Sequence, residues 1–247
     1  MTMFSGLHRA RSKWLEMRKF KCEFLAFKSS AEKSEKRFLL EEEDILPCLN
    51  DKTVITSFDR HYVFHVAWAI RKVKQLNPAM HFDFSSSLFF STTLSAFIPT
   101  NFYDYRPAEL ELSGLTCAAG DLTKINFEDN SIASLSCMHT IEHVGLGRYG
   151  DTIDYDGDLK AIKELKRVVK PGGSLFFVTP VGKSKIVYNA HRIYAYDQVK
   201  EYFDGFDLKE FSLVPDSVQD GGLIENATKE MSDKQNYGCG CFWFVKK

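Results

Sequence analysis

Residues 161–178 read Ala161-Ile162-Lys163-Glu164-Leu165-Lys166-Arg167-Val168-Val169-Lys170-Pro171-Gly172-Gly173-Ser174-Leu175-Phe176-Phe177-Val178. An amphipathic helix stops here at Pro-Gly-Gly, and an apolar strand follows at once. Ala161, Ile162, Leu165, Val168 and Val169 recur at the spacing of one helical face. Lys166, Arg167 and Lys170 lie in the last turn, where cations favour the negative end of the helix dipole. Asp158 is suited to cap the first turn. Pro171 cannot continue a helix, and Gly172-Gly173 permits a tight reversal into the strand. Upstream, Gly120-Asp121-Leu122 is an isolated acidic turn, and a short strand over 132–138 runs into His139-Thr140-Ile141-Glu142-His143. That order of parts fits the second half of an open α/β sheet.

The flanking sequence extends the pattern. A helix fits 58–76, with Val63, Val66, Ile70 and Val73 as its buried stripe and Asn77-Pro78 as its stop. Strand-like pieces cover 80–84, which runs into Ser85-Ser86-Ser87, then 97–104, ending in Asp104, and 115–119, ending before Gly120-Asp121. Helical or loop segments separate them, the alternation of a parallel sheet with covering helices. The tail differs: 208–215 and 238–245 read as an antiparallel edge pair. Residues 1–50 form an N-terminal helical extension to a domain over 51–247. Trp14, Met17, Phe20, Phe24 and Phe27 share one face of that extension. They are expected to pack on the domain; the alternative is docking of a basic, aromatic helix to a membrane surface or a partner, through residues 1–38.

Composition narrows the function. A chain of 247 residues with 44% apolar and 26% charged residues can build a sizeable core. Its net charge of −1 provides no field to gather nucleic acid, so no nucleic-acid partner is expected. No apolar run is long enough to span a bilayer, and the first residues lack a secretory apolar core. The six cysteines form no zinc-ribbon pairs, and Cys239-Gly240-Cys241 reads as a strand with small residues. A reduced, cytoplasmic protein is the expectation. His61 and His65, one turn apart, are candidates to share a metal, but no third ligand lies nearby in sequence. His139-Thr140-Ile141-Glu142-His143 matches the inverted zinc-peptidase pattern H-x-x-E-H, yet it starts at a strand end, where its two rings would not share a helical face. The acidic loop 151–158 has its glycine misplaced for an EF-hand and reads as a solvated loop before a capped helix. No metal is expected.

Together these residues resemble the class I S-adenosylmethionine-dependent methyltransferases. Within that superfamily, Thr140-Ile141-Glu142-His143-Val144-Gly145-Leu146-Gly147-Arg148-Tyr149-Gly150-Asp151 and Asn189-Ala190-His191-Arg192-Ile193-Tyr194 look like the hallmarks of a methyltransferase-like family of unknown function. The superfamily resemblance covers roughly residues 58–247. It implies a Rossmann-like three-layer sandwich whose mostly parallel seven-stranded sheet has an antiparallel last strand. It also implies S-adenosyl-L-methionine as cofactor, held past the carboxyl ends of the strands.

By that resemblance, Asp83, Ser85 and Ser87 meet the methionyl group, Asp104 takes the ribose hydroxyls, and Asp121 with Leu122 takes the adenine. One departure is plain: Ser85-Ser86-Ser87 stands where superfamily members carry glycines. Serine lacks the access of glycine to positive φ and adds a side chain where backbone and ligand touch. The loop is therefore either a hydroxyl-rich version of the cofactor site or the mark of a degenerate fold that only binds a partner or ligand. Methyl transfer to a hydroxyl needs alignment and a base. His139 is the candidate base, with Glu142 and His143 next. The glycines of 145–150 suggest a mobile lid carrying Arg148 and Tyr149, and Asn189, His191 and Arg192 are expected to line the same mouth. The acceptor is expected to be a small polar molecule or glycan precursor. The third reading, a zinc-dependent hydrolase, rests on the H-x-x-E-H stretch.

Overall fold

The computed structural model describes residues 3–35 and 37–247. The chain divides into one unit reaching to Ser57 and a second spanning Phe58–Lys247. The first holds helix α1 (Met3–Glu32). None of the five aromatic-stripe residues is buried: Met17, Phe20 and Phe24 are half-covered, whereas Trp14 and Phe27 are exposed. No described helix is long and apolar enough to cross a membrane.

The second unit opens with α2 (Arg60–Leu76). Next come β1 (His81–Asp83), α3 (Leu88–Leu94), β2 (Thr100–Asp104), β3 (Leu115–Ala119) and β4 (Ile132–Met138). The second half holds α4 (Gly157–Val168), β5 (Val169–Val181), a small hairpin of β6 (Lys185–Val187) and β7 (His191–Ile193), and α5 (Tyr196–Tyr202). β8 (Phe206–Val214), α6 (Lys229–Asp233) and β9 (Gly238–Lys246) complete it. Seven strands form one sheet in the order β3-β2-β1-β4-β5-β9-β8. β1 to β5 run parallel, and β9 is antiparallel to both β5 and β8. The expected fold class is found.

Alternation along the central strands sorts the core into two layers. Leu135, Cys137, Leu175 and Phe177 face Ile162, Leu165, Val199 and Phe203 of the α4 and α5 side. Met138, Phe176 and Val178 face Trp68, Val73, Phe90 and Leu94 of α2 and α3. Strands covered on both faces read as continuous apolar runs, as 132–138 and 174–181 do. The buried face of α2 is His65, Trp68, Ala69 and Val73, while Val63 is exposed. The stripe is thus rotated from the expected one, because Trp68 anchors the helix through Nε1 to Glu210 at 2.9 Å.

The helix passes directly into the strand: α4 ends at Val168 and β5 begins at Val169, so Pro171-Gly172-Gly173, expected as the helix stop, lies inside the strand where its register on β4 shifts. Asp158 is not the cap. It lies inside α4, buried, and accepts from the Tyr194 hydroxyl at 2.8 Å. Gly172 has φ +74°, and a Cβ on Gly173 would sit 2.8 Å from the Lys170 carbonyl oxygen, so both glycines are required. Arg167 ties the preceding loop to α4. It donates to Glu164, to Asp129 at 2.7 Å, and to the Phe127 and Ile125 carbonyls at 2.7 and 2.8 Å.

A polar seam joins β1 to β4. His81 touches Ser134 Oγ at 2.7 Å and Ser136 Oγ at 2.8 Å, and Ser136 donates to Asp83. Ser85 and Ser91 also donate to Asp83, whose carboxylate is fully buried. Burial pushes Asp83 up to about 6, against the lowering pull of its three hydroxyl donors.

Two stability measurements test these contacts. Arg167→Met is expected to lower urea-unfolding stability by about 2 kcal/mol, and Arg167→Lys to restore little, because one ammonium cannot fork to four acceptors. Asp83 titrates near 3.8 when unfolded and about 6 when folded, so the native state holds the extra proton between them and stability falls as pH rises through that window. Relative to Asp83→Asn, the wild type should therefore gain about 2 kcal/mol between about pH 7.5 and about pH 4.5. A pH-independent difference would show that Asp83 carries no such shift.

Candidate functional site

The tips of β1 to β4 open onto a cleft of about 410 Å³. β1 lies between β2 and β4, so chain direction across the sheet reverses there, the position where open α/β sheets hold ligands. Asp104 and Asp121 reach this cleft from the ends of β2 and β3. Asp104 Oδ1 accepts from the Arg106 amide at 2.7 Å, and Asp121 Oδ1 accepts from the Thr123 amide and hydroxyl at 2.8 and 2.7 Å. No donor among the described residues reaches the other oxygen of either acid. Leu122 lies beside them, largely buried. Gly120 is needed here, because a Cβ would sit 2.7 Å from that of Tyr103.

The serine segment departs from the expected arrangement. Asp83 does not face the cleft; its oxygens are consumed by Ser85, Ser91 and Ser136. Ser85 also accepts from the Met138 amide at 3.1 Å, and Ser87 is buried. The residues of this segment that line the cleft are Phe84 and Ser86. Their amides are already engaged, Phe84 with the Ser136 carbonyl at 2.8 Å and Ser86 with the Met138 carbonyl at 3.0 Å. The chain therefore continues alongside β4 rather than curling away as a glycine loop would.

His139 follows β4 with φ +51°, a left-handed conformation costly for a non-glycine residue. It borders the cleft but is only 3% exposed. Nδ1 contacts Glu142 Oε1 at 2.8 Å, and Nε2 lies 3.4 Å from Cys239 Sγ. Burial works against charge on this ring, but Cys239 and Glu142 favour it and push it up to about 10. With Nδ1 committed to Glu142 and Nε2 to Cys239, the ring has no nitrogen to offer an acceptor as a base. Glu142 is 1% exposed and acts on His139 rather than on the cleft. Around His139 gather residues that sequence spacing did not bring together. His61 and Tyr62 of α2 stack on it at 5.2 and 5.3 Å, and His65 meets it edge-on at 5.0 Å. Burial pushes His61 down to about 4. The i,i+4 histidine pair was visible in sequence; its remote partners His139 and Cys239 were not.

His143 stands differently. It follows in a 3-10 turn (Ile141–His143), lines the cleft, and contacts the Ala190 carbonyl through Nδ1 at 2.6 Å. A carbonyl only accepts, so Nδ1 carries a proton, and in the neutral ring Nε2 holds the lone pair. The two histidines of H-x-x-E-H thus serve separate partners, and the peptidase arrangement is absent.

The expected lid is pinned. The amides of Gly145, Gly147 and Tyr149 converge on the Asp151 carboxylate at 2.8, 3.3 and 3.2 Å. Asp154 is likewise engaged, with Lys160 and the Asp156 amide. Tyr149 reaches the cleft between two guanidinium groups, Arg106 at 4.5 Å and Arg148 at 5.1 Å from its ring centre. Arg148 donates to the Ala190 carbonyl at 3.1 Å and is not a cleft-lining residue. Arg192 is buried, with its donors spent on the Val144 and Tyr155 carbonyls, and so braces the loop instead of meeting a substrate. Asn189 is exposed away from the cleft lining, and His191 packs on Tyr237 at 4.8 Å. Arg106, Tyr103 and Lys160 are cleft residues that sequence patterning did not single out.

Comparison with known proteins bears on this arrangement. Residues 123–236 match the family described as Caenorhabditis protein of unknown function, DUF268. No curated protein matches the chain. Among solved structures, the protein classed as a methyltransferase in its complex with the Haloferax volcanii Trm112 activator aligns at TM-score 0.51 and 16% identity, over 76% of this chain and 90% of that one. YcgJ of Bacillus subtilis aligns at TM-score 0.51 and 11% identity, over 74% and 98%. A Galdieria sulphuraria protein classed as a sarcosine dimethylglycine methyltransferase aligns at TM-score 0.51 and 14% identity, over 74% and 84%. The strand order with its antiparallel last strand and these alignments agree: the chain has the fold of the class I S-adenosylmethionine-dependent methyltransferases.

Proposed function

We propose that this chain is an S-adenosylmethionine-dependent methyltransferase acting on a small polar acceptor of the sugar or glycan-precursor class. The observation that carries the reading is the cleft at the strand tips, where Asp104 and Asp121 each keep a carboxylate oxygen free of protein donors beside apolar Leu122. That donor set fits a nucleoside: Asp104 accepts from two ribose hydroxyls, Asp121 from an adenine amino group, and Leu122 lies against the ring. When bound, the cofactor supplies a methyl group on a positively charged sulfur. The role of the protein is then to align the acceptor with that methyl group, and to remove the acceptor proton where the acceptor is a hydroxyl.

His143 is the base in this reading. Its Nδ1–H is held by the Ala190 carbonyl, and Nε2 is the lone-pair nitrogen of a ring on the cleft wall. Glu142 and His139 are not the base; they hold each other. Arg106, Tyr149 and Lys160 make the mouth polar, which suits a hydroxyl-rich acceptor.

A second reading has its own support. The Phe84 and Ser86 amides are engaged with β4, so this segment offers no free backbone donors to the methionyl group. A methyltransferase fold that has lost its cofactor would carry this feature too. Calorimetric titration with S-adenosylmethionine and S-adenosylhomocysteine separates the two. The enzyme reading expects both to bind, and Asp104→Ala to weaken them about 10- to 100-fold, the worth of one charge-assisted hydrogen bond. No heat from either ligand would leave the degenerate fold. In methyl-transfer assays with sugar and sugar-acid acceptors, His143→Ala is expected to lower turnover about 100-fold or more without changing cofactor affinity. Unchanged turnover would remove His143 as the base.

A further inference from the structure

We propose that His61, His139 and Cys239 form a binding site for a zinc-type divalent metal ion, at the edge of the cleft and independent of methyl transfer. The three side chains come from α2, the tip of β4 and the start of β9. Their ligand atoms all lie within 4.8 Å of one another. His139 Nε2 and Cys239 Sγ are 3.4 Å apart. Tetrahedral zinc, with bonds of about 2.0 Å to nitrogen and 2.3 Å to sulfur, needs ligand atoms about 3.5 Å apart. One edge of the site therefore has that separation already, and the His61 ring needs only a small inward movement. Two imidazoles and a thiol are borderline-to-soft donors, the set that selects zinc and its neighbours over magnesium or calcium.

The surroundings are built as those of a metal centre are. Glu142 Oε1 takes the Nδ1 side of His139, which leaves Nε2 directed at Cys239. A carboxylate behind a ligating histidine fixes its orientation and strengthens it as a donor. The strained φ of His139 holds the ring in this position, although the same ring is unsuited to act as a base. His61 is held between stacked partners, His139 on one side of the contact and Tyr237 at 4.9 Å.

An independent observation comes from His65. It is 0% exposed, its Nδ1 is satisfied by the His61 carbonyl at 2.7 Å, and its Nε2 is buried without a partner among the described residues. A buried lone pair left unpaired is costly, and a native structure retains one where something absent completes it. The ring centre of His65 is 5.0 Å from that of His139, and Cys241 Sγ lies 3.9 Å from Cys239 Sγ. His65 and Cys241 border the cluster but do not belong to the set of mutually close ligand atoms, so the remaining coordination position falls to water or an acceptor group, as in sites with three protein ligands. On binding, the metal takes the place of the proton shared between His139 Nε2 and the Cys239 sulfur.

Cobalt(II) titration of chelator-treated full-length protein tests the site, since cobalt reports tetrahedral geometry and thiolate ligation through its absorption. The expected result is one equivalent of cobalt with d–d bands and a thiolate charge-transfer band, displaced by one equivalent of zinc. His61→Ala, at a partly exposed position, should lower affinity at least about 100-fold, and Glu142→Gln about 10- to 100-fold. Cys239→Ser should abolish the charge-transfer band; should that buried substitution unfold the protein, His61→Ala decides. Replacing the exposed Cys22 and Cys48 by Ser should change nothing. Absence of stoichiometric cobalt binding, or binding unaltered in His61→Ala, overturns the proposal. Neither outcome touches the nucleoside titration, so the two readings fail separately.

Discussion

The buried run of hydrogen bonds along the β1–β4 seam sets the geometry of the functional end. Ser134, His81, Ser136, Asp83, Ser85 and Ser91 form a continuous chain with almost no solvent contact. A buried polar network that is fully satisfied rigidifies and specifies, whereas a partly satisfied one destabilises. Asp83 is the demanding member, since its charge is tolerable only while three hydroxyls point at it. Their convergence fixes β1 against β4, the start of α3 against both, and the direction in which the chain leaves β1. Phe84 and Ser86 face the cleft because Asp83 and Ser85 do not.

That direction carries to the neighbouring cluster. Ser86 Oγ lies 3.0 Å from the Tyr62 hydroxyl, so the tip of β1 is tied to the first turn of α2. Tyr62 and His61 then meet the ring of His139, which follows β4 in a left-handed conformation. The end of β4 thus faces two ways. On the cleft side it leads through Thr140 to His143, which lines the cleft. On the buried side it presents His139 to Cys239 and Glu142. A single histidine cannot do both, and the hydrogen bonds divide the work.

The sequence made some of this legible and hid the rest for identifiable reasons. β3 and β4 were readable to the residue because both end at a change of character, Ala119 before Gly120-Asp121 and Met138 before His139. Gly172-Gly173 read as a turn but forms an irregularity inside β5, because a glycine pair suits a strand bulge as well as a reversal. Asp104, Asp121 and Leu122, expected at the crevice through the resemblance, do line it, as residues at strand ends in this fold do. Asp83 was misread, although it also ends a strand, because strand position does not say whether neighbouring hydroxyls will turn a carboxylate inward. Arg192 was misread for a related reason: a long cation near a mouth looks like a substrate clamp until the Val144 and Tyr155 carbonyls are found around it. The cluster at His139 lay beyond reach, since its parts come from three elements distant in sequence.

The serine segment joins these threads. Glycines after a first strand let backbone amides turn toward a ligand, and that needs conformations serine adopts only at a cost. Here the chain takes the opposite course: it extends the β1–β4 pairing through Phe84 and Ser86 and spends the hydroxyls on Asp83. An anionic group in the cleft must then be met by side chains instead of backbone. The cations available at its rim are Arg106, stacked on Tyr149, and Lys160, paired with Asp154. Both already have partners, so a ligand anion gains from them only what remains after those contacts are shared or exchanged. If the cleft takes a nucleoside as proposed, its affinity therefore depends more on Asp104 and Asp121 than in a fold whose first loop supplies free amides.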